Sequence, residues 1–280
     1  MRKTILYQFL LLIMFSLIIF TLTGCTFGGS YETAEHEINE EFANISIKTD
    51  TADIVLLPSG DGICRVTCYE EEKQKHTVEV QDGTLVIDTV NKKQWYDYIG
   101  INIDTPKITF YLPELEYSSL IIEESTGDVE IAKDIKFKSI DVSVSTGDVK
   151  CYASATKEIK ISTSTGDVYV ENAICDGDVT ADVSTGKISL TNIVCKNVIS
   201  RGSTGDILLN NVIAAENFSV ERSTGDIRLE RSDAKEIFLK TSTGDIRGSL
   251  LTDKVFVTKT NTGMPHWRKS KRLSGAVIQN

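Results

Sequence analysis

Aspartate follows Ser-Thr-Gly at residues 128, 148, 167, 206, 226 and 245, and Lys187 stands in the corresponding place of one further unit. Stacked carboxylates at a short, regular repeat are a candidate row of calcium ligands, because calcium is held by several oxygen donors at once. Calcium-binding nonapeptide turns, however, recur about every nine residues and are denser in glycine. Lys187 also sets a cation inside the row, where an ion site needs a carboxylate. The same residues have a structural use. Gly127, Gly147, Gly166, Gly205, Gly225 and Gly244 tolerate the positive φ of a tight corner, and Ser and Asp side chains bond nearby backbone amides. The expectation is a row of structural corners with no metal site.

Other reactive side chains are sparse. Cys175 and Cys195 each lie eleven residues after the Ser of their unit, so stacked units would bring them together. That spacing is compatible with a disulfide and equally with two stacked free thiols. Cys64 and Cys68 share a strand face but stand roughly 13 Å apart at strand rise, too far to bond each other. Neither spacing resembles a zinc site, and His36, His76 and His266 are scattered. Trp95, Tyr96 and Tyr98 crowd one loop, where exposed rings suit a sugar or a partner's pocket. Nucleophile elbows, metalloprotease helices, phosphate loops and Cys–His pairs are not found, and no cofactor is expected.

The elements that position these residues follow from the period. Counted from the Ser of each unit, at 125, 145, 164, 184, 203, 223 and 242, and from Asn261 of a degenerate eighth, the gaps run 20, 19, 20, 19, 20, 19 and 19 residues. Such self-similarity marks a stacked repeat. Five residues before each Ser stand Leu120, Ile140, Ile159, Val179, Val198, Phe218 and Ile237; four after it stand Val129, Val149, Val168, Ile188, Ile207, Ile227 and Ile246. Further apolar columns lie two residues from each of these, as strands with one face inward require. Two before the Ser, Asp182, Arg201, Glu221 and Lys240 alternate in sign, as expected if parallel units lie in register about 4.8 Å apart. A hairpin meander of four-stranded propeller blades would use the same strands, but the chain has too few units for about four blades. The fold class expected is all-β, a parallel β-solenoid with coils of about 20 residues and an irregular N-terminal β cap.

The "STGD[VI]" units from Ser125 to Asp245, together with "ITFYLPEL" at 108–115, resemble a family of bacterial exported candidate adhesins with a toastrack-like β-solenoid domain. The likeness covers about residues 40–263. It implies a right-handed parallel solenoid and an envelope location, with no established activity. Pro265 departs from the pattern, standing where the last coil should turn an apolar residue inward.

The N-terminus carries a separate signal. Arg2 and Lys3 precede a long charge-free apolar run that ends in Leu22-Thr23-Gly24-Cys25, the pattern of a secretion signal. These four residues resemble the bacterial lipobox, which implies a lipid on Cys25; an uncleaved membrane anchor is the alternative. Either reading places the rest outside the cytoplasm. Of 30 basic residues, losing Arg2 and Lys3 leaves 28 against 40 acids, a net charge of −12. That balance excludes nucleic acid as a partner and leaves membrane attachment to the lipid.

The expected organisation is a signal peptide over 1–24, a tether over 25–40, a capping β section over 41–117, the solenoid over 118–263 and a basic tail over 264–280. Arg268, Lys269, Lys271 and Arg272 make that tail basic. The expected function is a non-enzymatic structural, adhesion or interaction module of the cell envelope, with a cell-wall glycan or another envelope protein as partner. The alternatives are a carbohydrate-active β-helix enzyme and an accessory of envelope-stress signalling.

Overall fold

The computed structural model describes residues 30–95, 104–252, 254, 256–263, 265–267 and 277–278. All regular structure among them is β, apart from a single helical turn residue at Trp95. The first strands are β1 (Tyr31–Ile38), β2 (Asn44–Thr51), β3 (Asp53–Pro58), β4 (Cys64–Glu71), β5 (Gln74–Gln81), β6 (Thr84–Asn91) and β7 (Lys107–Leu112). The repeats begin with β8 (Glu116–Thr126), β9 (Val129–Ile131), β10 (Lys136–Thr146), β11 (Val149–Cys151), β12 (Ser154–Thr165) and β13 (Val168–Glu171). They continue with β14 (Asp178–Thr185), β15 (Ile188–Thr204), β16 (Ile207–Thr224), β17 (Ile227–Ser232), β18 (Glu236–Thr243) and β19 (Ile246–Leu250). The last are β20 (Val257–Thr262), β21 (Pro265–Trp267) and β22 (Val277–Ile278).

Equivalent residues of successive units lie side by side in parallel. Ile140 pairs with Leu120 and Ile159, and Asp182 pairs with Arg201, which pairs in turn with Glu221. The protein is therefore a parallel β-solenoid, as the columns predict. Side chains of the apolar columns point into one continuous core, where Leu120, Ile140, Ile159, Val179 and Val198 are fully buried. Alternation between 19 and 20 residues is absorbed at local register shifts, such as those between Phe137 and Ser139 and between Cys195 and Asn197. A one-residue excess in a strand is tolerated as a bulge.

Each coil turns at Thr-Gly. Gly147 has φ of 147°, and a Cβ built on it would stand 1.9 Å from the carbonyl oxygen of Gly127 in the coil below. Stacking, as much as φ, thus demands glycine at this column. A second bend lies eight residues after the Ser, where Asn172, Asn192 and Asn211 take left-handed φ of 55–56°. Asparagine is among the few residues that adopt this conformation readily. Their side-chain amides form a ladder, Asn192 Nδ2 donating to Asn172 Oδ1 and Asn211 Nδ2 to Asn192 Oδ1, both at 2.8 Å.

Layer order departs from chain order at the N-terminal end. Strands β2 and β3 lie between β6 and β7 on one side and β8 and β9 on the other. Strands β6 and β7 therefore form a layer below the coil that precedes them in sequence. Antiparallel strands close this end: β4 lies on β7, and β5 on β6. Covering the last parallel ladder satisfies its backbone groups.

Two expectations need correction. Residues 25–40 are not all tether, because Tyr31–Ile38 forms a strand antiparallel to β4, with Tyr31 stacked on Tyr69 at 5.1 Å. Its apolar signal is weak because this edge strand has no fully buried residue. At the other end, Pro265 does not stop the solenoid: β21 pairs in parallel with β19, Ile246 opposite Pro265. An edge strand tolerates proline because its missing N–H needs no further partner.

Candidate functional site

The repeated aspartates lie in one row, and their geometry shows what occupies their oxygens. Asp128 Oδ1 accepts the backbone N–H of Asp148 at 2.8 Å, Asp148 Oδ1 that of Asp167 at 2.7 Å, and Asp167 Oδ1 that of Lys187 at 2.7 Å. Beyond the lysine the ladder resumes, Asp206 accepting from Asp226 and Asp226 from Asp245. Asp53 begins it by accepting from Asp128 at 3.0 Å, so Thr51-Ala52-Asp53 is the degenerate first corner. Each corner would otherwise leave a backbone N–H unpaired, and the aspartate of the coil before it supplies the acceptor.

The column just before the Ser lines the inside of the corner. Thr163, Thr241 and Thr260 donate to the carbonyl oxygens of Gly147, Gly225 and Gly244 in the preceding coil. Arg222 belongs to this column and is 2% exposed, reaching two coils back to donate from Nη1 to Val183 O at 2.6 Å. Burial lowers the pKa of this guanidinium, while Asp206 and Asp182 act in the opposite sense. Glu124, also in the column, is raised to about 8, chiefly by burial.

Outside the core, an open groove of about 1100 Å³ runs over the C-terminal coils. Arg228 and Arg247, register partners in β17 and β19, line it with Arg231 and Lys187. Arg228 pairs with Glu230 and Arg247 with Asp245, while Arg231 donates to Asn210 Oδ1 at 2.8 Å. The side chains of Arg228 and Arg247 are 64% and 54% exposed. Asp206, Asp226 and Glu230 line the same groove, so its guanidinium groups lie among carboxylates, a mixture of donors and acceptors that suits hydroxyl-rich ligands.

Of the other singled-out residues, Cys175 and Cys195 are buried free thiols in adjacent coils, their pKa values raised by burial. Trp95 is 76% exposed. Tyr96, Tyr98, Cys25 and the tail basics Arg268, Lys269, Lys271 and Arg272 lie outside the described residues.

One cluster was not visible in the sequence spacing. Cys68 and Glu70 occupy alternate, inward positions of β4, and His76 enters the same space from β5 after the turn at 72–73. All three are buried, and one ligating atom from each lies within 4.8 Å of the others. Their alternation about a two-residue turn is the signal that would have found them.

The Toastrack DUF4097 family model matches residues 42–175 and 174–261. Among solved structures, a "putative adhesin" from Parabacteroides merdae superposes with a TM-score of 0.62 at 14% identity, covering 86% of this chain and 98% of that one. A protein of the same description from Bacteroides fragilis gives a TM-score of 0.54 at 18% identity, covering 86% and 99%. Another from Parabacteroides distasonis gives 0.54 at 14%, covering 85% and 97%. At these identities the likeness is one of fold. No curated protein matches the sequence.

Proposed function

The chain belongs to the Toastrack DUF4097 family, and from that membership we propose that it is a non-enzymatic envelope module, held to the outer side of the cell membrane by a lipid on Cys25. Its coils act as a rigid spacer whose outer faces meet a cell-wall glycan or another envelope protein. The observation that carries this reading is the aspartate ladder. The motif that dominates the sequence is committed to stacking one coil on the next, which makes a stiff rod rather than a reaction centre. From β6 to β20 the stacked strands take nine steps of about 4.8 Å, a rod on the order of 40 Å long. The adhesin descriptions of the structural neighbours support the same reading. The arginine-lined groove is the surface we assign to the partner.

Incubating the purified full chain with a panel of wall glycans, and measuring both retention and products, tests this. Retention without cleavage supports an interaction module, and turnover of any glycan overturns it. The anchor is tested separately by mass analysis of the chain extracted from membranes, which should show acyl groups on an N-terminal Cys25; an unmodified Cys25 overturns it.

A further inference from the structure

At the capped end, β4 and β5 share a single register pair, Glu71 with Gln74, before they part to lie on β7 and β6. The wedge between them is where Cys68, Glu70 and His76 converge, and its polar side chains are unusual for a solenoid core. Glu70 Oε2 accepts the backbone N–H of His76 at 2.7 Å and lies 3.0 Å from His76 Nδ1. This contact sets the Nδ1 edge of the imidazole against the carboxylate. The other ring nitrogen, Nε2, has no hydrogen-bond partner, although the His76 side chain is only 1% exposed. A thiol, a carboxylate and an imidazole thus share one buried space, and polar groups so placed are costly where they lack partners.

We propose that Cys68, Glu70 and His76 bind one zinc ion through Sγ, a carboxylate oxygen and Nδ1, in place of the side-chain hydrogen bond between Glu70 and His76, and that the ion fastens β4 to β5 and locks the cap. Sulfur and imidazole donors suit zinc and disfavour calcium or magnesium, which prefer oxygen. Cys68 binds as the thiolate and releases its proton to solvent, the proton on His76 Nδ1 moves to Nε2, and no electron is transferred. Three protein ligands leave a tetrahedral ion one position for water. Binding releases the thiol proton, so it should weaken as pH falls. The site is independent of the groove and of the adhesion reading, and its failure would leave both untouched.

The test uses the tag-free full chain, stripped of metal and titrated with Co²⁺. The expected result is thiolate-to-cobalt charge-transfer absorption that saturates at one equivalent and is abolished by Zn²⁺. Cys68→Ser should remove the band, His76→Gln should weaken Co²⁺ binding by about tenfold or more, and Cys195→Ser should leave it unchanged. In the unsubstituted chain, Zn²⁺ should also raise the thermal midpoint, which keeps the proposal testable if a variant does not fold. Absence of the band from the unsubstituted chain, its survival in Cys68→Ser, or a thermal midpoint indifferent to Zn²⁺ would each overturn it.

Discussion

The guanidinium of Arg222 fills the place that a side chain on Gly202 would occupy: a Cβ built on Gly202 would stand 1.8 Å from Arg222 Nη1 and 2.0 Å from Val183 O. The two residues are register partners in adjacent coils. A large polar side chain enters the corner interior only because the coil before it leaves that position empty. Gly202→Ala should therefore destabilise the protein by about 2–4 kcal/mol, through displaced arginine and a strained corner. Arg222→Ala should cost about 3 kcal/mol, because Val183 O loses its donor and a cavity opens. In the double variant the two effects should be clearly less than additive. Urea unfolding midpoints measure all three.

Corner aspartates act as acceptors, so the charge itself is dispensable. Asp148→Ala should cost about 1 kcal/mol by leaving the amide of Asp167 without its partner. Asp148→Asn retains an acceptor oxygen and should recover most of that loss. Lys187 offers no acceptor to the corner above it, and Lys187→Asn should stabilise by about 0.5–1 kcal/mol. Thermal or urea denaturation of the three variants separates this account from a calcium ladder, in which Asp148→Asn would be nearly as harmful as Asp148→Ala.

Glu124 predicts a pH dependence of stability. Its folded pKa, about 8, lies above the ordinary carboxylate value of 4.5. Between those two values the native state holds a proton that the unfolded chain releases, so stability falls as pH rises through this window and levels off above it. Of its oxygens, Oε1 accepts the Thr126 N–H at 3.0 Å while Oε2 is buried without a partner, as suits a protonated carboxyl. Glu124→Gln should flatten the profile, gaining on the order of a few kcal/mol over the parent near pH 9 and almost nothing near pH 4.5. Unfolding curves across that range provide the check.

At the second bend, Asn192 combines a left-handed φ with two ladder hydrogen bonds. Asn192→Ala loses both advantages and should cost about 2 kcal/mol. Asn192→Gly restores the backbone freedom and loses only the ladder, so it should cost about half as much. The order of the two melting temperatures decides the matter, since a purely side-chain role would make them equal.

Legibility differed between the repeats and the cap. Columns such as Leu120–Ile140–Ile159 and the sign alternation through Asp182, Arg201, Glu221 and Lys240 foretold the register, and Glu221 and Lys240 do pair, at 3.3 Å. The second bend went unread because Asn172, Asn192 and Asn211 give way to Arg231 in the next unit, and a polar column on a surface carries little pattern. Strand β1 went unread because an edge strand needs no inward apolar face.

Sequence alone determined the stacked coils, because each unit repeats the same alternation and an in-register neighbour is the one arrangement that buries every apolar column at once. Only the tertiary structure decided that β2 and β3 slip between later strands, that Arg222 rests over Gly202, and that Cys68, Glu70 and His76 meet. Those outcomes depend on which surfaces remain unpaired once the coils have stacked. That is a property of the assembled end of the rod and of its local packing, and no single unit encodes it.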